Sequence, residues 1–149
     1  MAKANHEVIS ALNDLIETLR DGEYGYKTAA EGVQKREYKS LFNRYSEQRR
    51  QFAAELQQLV KGLNGDPKDS GSMSGSLHRG WIDIKSIVTS GDESAIISEC
   101  ERGEDTAVEV YEEILENDLP ADVRSIVEKQ YVQVKEAHDN MRSLEKAMS

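Results

Sequence analysis

The sequence predicts an all-α fold: a four-helix bundle of two antiparallel hairpins, joined by a long crossover that contains an extra short helix. Three observations predict it. Apolar residues recur at a and d heptad spacing through four long segments. The links inside each hairpin, near Lys35 and Arg36 and between Asn117 and Pro120, are only a few residues long, which makes the helices they join antiparallel neighbours. The stretch from Gly62 to Ser76 is instead rich in Gly and Ser. A crossover of that length can carry the chain back along the bundle, so the third long helix need not oppose the second. The 149 residues suffice for one domain, 1–149, with one core.

The first helix is expected from about Asn5 to Gln34, with Val8, Leu12, Leu15, Leu19, Gly22, Tyr26, Ala29 and Val33 facing inward. Ile9, Ile16, Glu23 and Ala30 form the adjacent row, so Glu23 interrupts it near mid-helix. Gly22 and Gly25 each cost about 1 kcal/mol of helix propensity relative to Ala. That cost points to close helix packing, or to room for the rings of Tyr24 and Tyr26. The second helix, to about Lys61, turns Tyr38, Phe42, Tyr45, Phe52 and Leu56 inward, and Gln48, Arg49 and Glu55 with them. Counting back from the turn puts Glu23 level with Gln48 and Arg49. A bidentate Arg49–Glu23 pair across the hairpin would satisfy both groups without a metal.

The crossover helix is expected from Leu77 to Thr89, with Trp81, Ile84, Ile87 and Val88 on one face. The linker before it leaves Trp81 free to fold back as a lid on the core, and a dimer surface is its other use. Ser90 and Glu93 have the spacing of a capping box, which would start the third long helix near Asp92. That helix runs to Asn117 with Ile97, Cys100, Glu104, Ala107, Tyr111 and Ile114 along its inward stripe. Glu104 is thus a carboxylate facing the core, and Glu101 lies at the stripe's edge. An ionised carboxylate there is costly unless it meets a partner or a metal. Pro120 fits the first turn of the last helix, where a missing N–H costs nothing. That helix turns Val123, Val127, Gln130, Val134, His138 and Met141 inward.

Composition limits the function classes. Hydrophobic residues are 38% and charged residues 32%, a mix for amphipathic helices with solvated outer faces. No run is long enough to span a bilayer, and the first residues have no apolar signal core, so a cytoplasmic location is expected. A single cysteine, Cys100, leaves no internal disulfide and reads as a small buried hydrophobe. The net charge of −9 is unevenly spread: up to Asn64 ten Lys and Arg face nine Asp and Glu, giving +1, and the remainder carries −10. Such a surface repels nucleic acid and anionic lipid, so neither is an expected partner. The acidic half reads as a solvated helix face, or as a surface for cations or a basic protein. No Ser/His/Asp order, phosphate loop, Cys-x-x-Cys or His-Glu-x-x-His is present.

Leu77-His78-Arg79-Gly80-Trp81, Glu99-Cys100-Glu101-Arg102-Gly103-Glu104-Asp105, Gln130 and His138-Asp139 resemble a bacterial family of short four-helix-bundle proteins known as a domain of unknown function. That family belongs to the ferritin-like superfamily, so the resemblance implies a ferritin-like bundle. Many superfamily members bind two iron or manganese ions through one Glu from each of two helices and a Glu-x-x-His from each of the others. Glu23 and Glu104 match the lone glutamates. The paired motifs fail, because Gln48-x-x-Gln51 and Lys135-x-x-His138 stand where Glu-x-x-His is needed. Two readings follow. In the first, the protein is non-enzymatic, structural or stress-associated, with no cofactor and with self-association or a protein partner. Its interior would then keep a polar cluster of Glu23, Arg49, Glu55, Glu101, Glu104, Gln130 and His138, with His138 bonded to Glu101 or Glu104. In the second, Glu23, Glu104 and His138 are ligands to iron or manganese in a metal-dependent oxidase or iron-handling protein. Glu101 would be a bridge, and Tyr26 or Tyr111 a redox-active ring. His78 reads as a capping or packing residue.

Overall fold

The computed structural model describes residues 2–69 and 80–148, with side chains from residue 5. Leu77, His78, Arg79 and the Gly71–Gly75 stretch lie outside the described residues. The elements are α1 (Ala2–Gly32), α2 (Arg36–Gly62), α3 (Ile84–Ser90), α4 (Glu93–Leu115) and α5 (Ala121–Met148). The expected all-helical bundle is thus observed, and no strand occurs among the described residues. No helix is long and apolar enough to cross a membrane.

Side-chain bonds give the helix directions. Ser46 donates to the Glu23 carbonyl and Lys39 to that of Ala30, so α1 and α2 are antiparallel. Ser98 meets Glu145, and Tyr111 meets Gln130, so α4 and α5 are antiparallel too. Tyr26 meets Glu104, while the Glu93 carboxylate accepts from the amides of Gln34 and Lys35, which makes α1 and α4 antiparallel. Helices α2 and α4 therefore run the same way, as the long crossover allows. The crossover begins alongside α1: Asn13 donates to the Asp66 carbonyl and accepts from the Lys68 amide.

The inward rows read from the sequence are buried in α1 and α4, except that Ile9 and Glu23 of the flanking row are half-exposed. They form two apolar clusters. One holds Val8, Leu12, Leu15, Leu56, Tyr111 and Val127, the other Tyr26, Phe42, Trp81, Ile97, Cys100 and Met141. Glu104 and Arg49, buried but polar, lie between them in sequence position on α4 and α2.

Four local expectations are corrected. The crossover helix starts at Ile84, and Gly80 to Asp83 are bends and turns because Trp81 is inserted into the bundle there. The α4 cap is Asp92, whose carboxylate accepts from the amides of Ser94 and Ala95; there is no Ser90–Glu93 box, because Ser90 donates to the Ile87 carbonyl and Gly91 ends α3 in the left-handed region at φ 74°. Pro120 precedes α5 and supplies its carbonyl to the Arg124 amide at 2.8 Å. Gly25 makes room for Trp81, not for a tyrosine: a Cβ there would lie 2.2 Å from the indole, and one on Gly103 of α4 would also lie 2.2 Å from it. The indole is 4% exposed and packs edge-on to Tyr26 with centroids 5.0 Å apart, so the expected lid on the core is observed. The Gly-Trp and Glu-Cys-Glu-Arg-Gly-Glu-Asp motifs are therefore two sides of one contact, since a Cβ on Gly80 would fall 2.7 Å from the Gly103 Cα.

Candidate functional site

Glu104 reaches the bundle interior from the middle of α4, and Arg49 reaches it from α2. Both are closed off from solvent, at 0% and 1% exposure. The guanidinium binds the carboxylate with two parallel bonds, Nη1 to Oε1 at 2.9 Å and Nη2 to Oε2 at 2.7 Å. This fork geometry matches a carboxylate better than an ammonium can. The third guanidinium nitrogen, Nε, donates to Gln48 Oε1 at 3.1 Å. Tyr26 donates its hydroxyl to Glu104 Oε2 and presents its ring 5.5 Å from the Arg49 guanidinium carbon. Burial works against the charge on Arg49, but Glu104 more than restores it and holds the arginine above its ordinary pKa. A second chain of bonds lies beside the first. Tyr111 donates to Gln130 Oε1 at 2.7 Å, and Gln130 donates to Glu55 Oε1 at 2.7 Å and to the Phe52 carbonyl.

The structure brings together only part of the expected cluster. Glu23 does not meet Arg49. It pairs with Arg20 of its own helix at 2.7 Å, with its side chain 27% exposed, because the row it occupies comes to the bundle's edge. Glu55 caps the Gln130 chain from an exposed position, so it is not buried. His138 is buried but meets neither Glu101 nor Glu104; its Nε2 lies 2.6 Å from Asp105 and its Nδ1 3.0 Å from Asp139. Glu101 accepts from Arg142 at 2.9 Å. Among the described residues, one group of His, Cys, Asp or Glu has ligand atoms that all lie within 4.8 Å of one another: Glu101, Asp105 and His138. Asp105 is the member that sequence reasoning left out. Its signal was present, since it stands four residues after Glu101 and hence on the same side of α4.

The residues present do not fit a pair of ions at the bundle centre. Both Glu104 oxygens are committed to Arg49, a cation fills the space beside them, and Glu23 and His138 are bonded elsewhere. Residues 7–117 match a family described as a domain of unknown function, DUF2383, and that span is about three quarters of the chain. The chain belongs to that family. No curated protein matches the chain. The DUF2383 match includes both halves of the Trp81 contact and the Arg49–Glu104 pair. It stops before α5, so Gln130 and His138 lie outside it.

The two buried phenols give a pH signature. Burial first, then the Glu104 charge, pushes the Tyr26 phenol well above its usual 10, against the pull of Arg49. Burial also raises Tyr111, again opposed by Arg49. Both rings stay protonated in the folded chain where the unfolded chain has lost the protons. Their contribution to stability is complete below pH 10 and falls as the pH rises above it, by about 1.4 kcal/mol per pH unit for each phenol. Urea unfolding at a series of alkaline pH values should show this decline. Absorbance at 295 nm should show that two of the six tyrosines ionise only on unfolding.

Proposed function

We propose that this protein is a non-enzymatic cytoplasmic bundle of ferritin-like type, structural or stress-associated, that works through association with a second copy or a protein partner. The observation that carries this reading is the Arg49–Glu104 pair. In the superfamily that the sequence resembles, inward carboxylates at mid-bundle hold metal cations. Here a guanidinium supplies the positive charge, and its planar fork leaves neither Glu104 oxygen for an ion. The pair ties α2 to α4 and fixes their register. A buried arginine carries no redox chemistry, so the iron or manganese oxidase reading, with Glu23, Glu104 and His138 as ligands, lacks its donor set.

Oxygen uptake after anaerobic ferrous loading tests the proposal. The expected result is uptake no faster than buffer with iron alone, and no oxo-bridged absorption between 300 and 400 nm. Two irons per chain with fast oxygen uptake, both abolished by Glu104→Gln, would overturn it.

A further inference from the structure

We infer that the α4–α5 groove holds a site for one divalent first-row transition-metal ion, with Glu101, Asp105 and His138 as ligands. The site is not the superfamily's central cage, since it uses neither Glu23 nor Glu104. It also does not depend on the function proposed above.

Four features argue for it. The donor set is right: one imidazole nitrogen and two carboxylates, with ligand atoms all within 4.8 Å of one another, suit zinc, manganese, cobalt or ferrous ions. A tetrahedral ion with bonds of about 2.0–2.2 Å spaces its ligands about 3.4 Å apart, a spacing that small side-chain shifts reach from here. The ligands are also held by the fold. Glu101 and Asp105 stand one turn apart on α4, and His138 comes from α5 opposite them with its side chain only 5% exposed.

The third feature is the histidine's own environment. Its Nδ1 faces Asp139 Oδ1 at 3.0 Å while its Nε2 faces Asp105 Oδ1 at 2.6 Å. A carboxylate on the far ring nitrogen is the arrangement that orients metal-bound histidines and fixes their tautomer. The fourth is charge. Three carboxylates stand around the ring, namely Glu101, Asp105 and Asp139, with Glu145 bonded to Glu101 beyond them, and Arg142 and Lys135 are cations that pair with this group. Arg142 reaches Glu101 at 2.9 Å and Asp105 at 3.9 Å, with its side chain 51% exposed. It occupies the ligands loosely from the solvent side and can swing away.

Arg142 makes the inference distinctive. If it competes with the ion, its removal should strengthen binding, an effect that a purely structural ion pair would not give. Zinc binding to the full chain should be measured by calorimetry, with cobalt absorption as a check on coordination. One ion per chain is expected. Asp105→Asn and His138→Gln should each weaken binding at least about tenfold. Arg142→Gln should tighten it, and Glu23→Gln should leave it unchanged. Asp105 is 46% exposed on the side chain, so its variant tests the site even if the buried His138→Gln chain does not fold. Absence of saturable binding up to millimolar zinc would overturn the inference. So would binding that Asp105→Asn does not weaken, or that Arg142→Gln weakens.

Discussion

Arg49→Met should lower stability by about 3–5 kcal/mol, the cost of leaving a buried charge without its partner. For a chain of this size that is a fall of roughly 10 °C or more in melting temperature. The change keeps most of the side-chain volume and removes both guanidinium bonds to Glu104, so Glu104 is left with only the Tyr26 hydroxyl. Glu104→Gln should cost a similar amount by stranding the guanidinium. The double variant separates a network from two independent contacts. Removing both charges abolishes the penalty of an unpaired buried ion, and the glutamine oxygen can still accept from Tyr26. The double variant should therefore be more stable than the sum of the two losses implies, by more than 1 kcal/mol. Urea unfolding in a buffer with a metal chelator measures all three. Strict additivity, or a melting temperature in Arg49→Met equal to that of the parent, would show that the pair does not hold the centre together.

Gly25→Ala should be nearly as damaging, although it adds one carbon and improves helix propensity. The new Cβ would lie 2.2 Å from the indole carbons of Trp81, so the ring must leave its seat or α1 and α4 must part. Loss of a buried tryptophan costs about 3–5 kcal/mol. In a Trp81→Ala background the obstruction is gone, and the same change should stabilise by up to about 1 kcal/mol through propensity alone. The expected reversal of sign separates a steric seat from a general need for flexibility. As Trp81 is the chain's one tryptophan, its fluorescence follows the event directly. Emission should move to longer wavelength in Gly25→Ala while helical circular dichroism persists. Gly25→Ala that destabilises equally in both backgrounds would contradict the contact.

The sequence revealed more of the scaffold than of the chemistry, for identifiable reasons. Burial of Ile97, Cys100, Glu104, Ala107, Tyr111 and Ile114 follows from helical period alone, and all six are buried. The partner of Arg49 did not follow. Period and turn length correctly put Arg49 level with Glu23, but an arginine side chain is long enough to cross the bundle. Its choice between two carboxylates depends on which one is desolvated. Glu23 is near enough to the surface to settle for Arg20, and Glu104 is not. The role of Gly25 escaped for a similar reason. The residue that needs its missing side chain is 56 positions away and arrives through the crossover, where periodicity carries no information. His138 was expected to reach along the inward face, but its ring turns to the row beside it, where Asp105 and Asp139 stand.

Glu93 bears on the order in which the molecule is completed. Lys35, the residue that precedes α2, gives the helix no side-chain cap, and the Glu93 carboxylate takes the Lys35 amide at 3.1 Å and the Gln34 amide at 2.8 Å. During synthesis the first bend is therefore made well before the residue that finishes it, which follows 58 positions later. Until the halves meet, water must serve those two amides. The latch contributes only about 1 kcal/mol per bond, yet it can close only when the whole chain has been translated past α4's first turn and has docked. A bend that looks purely local is thus a reporter of the docking of α4 on the first hairpin.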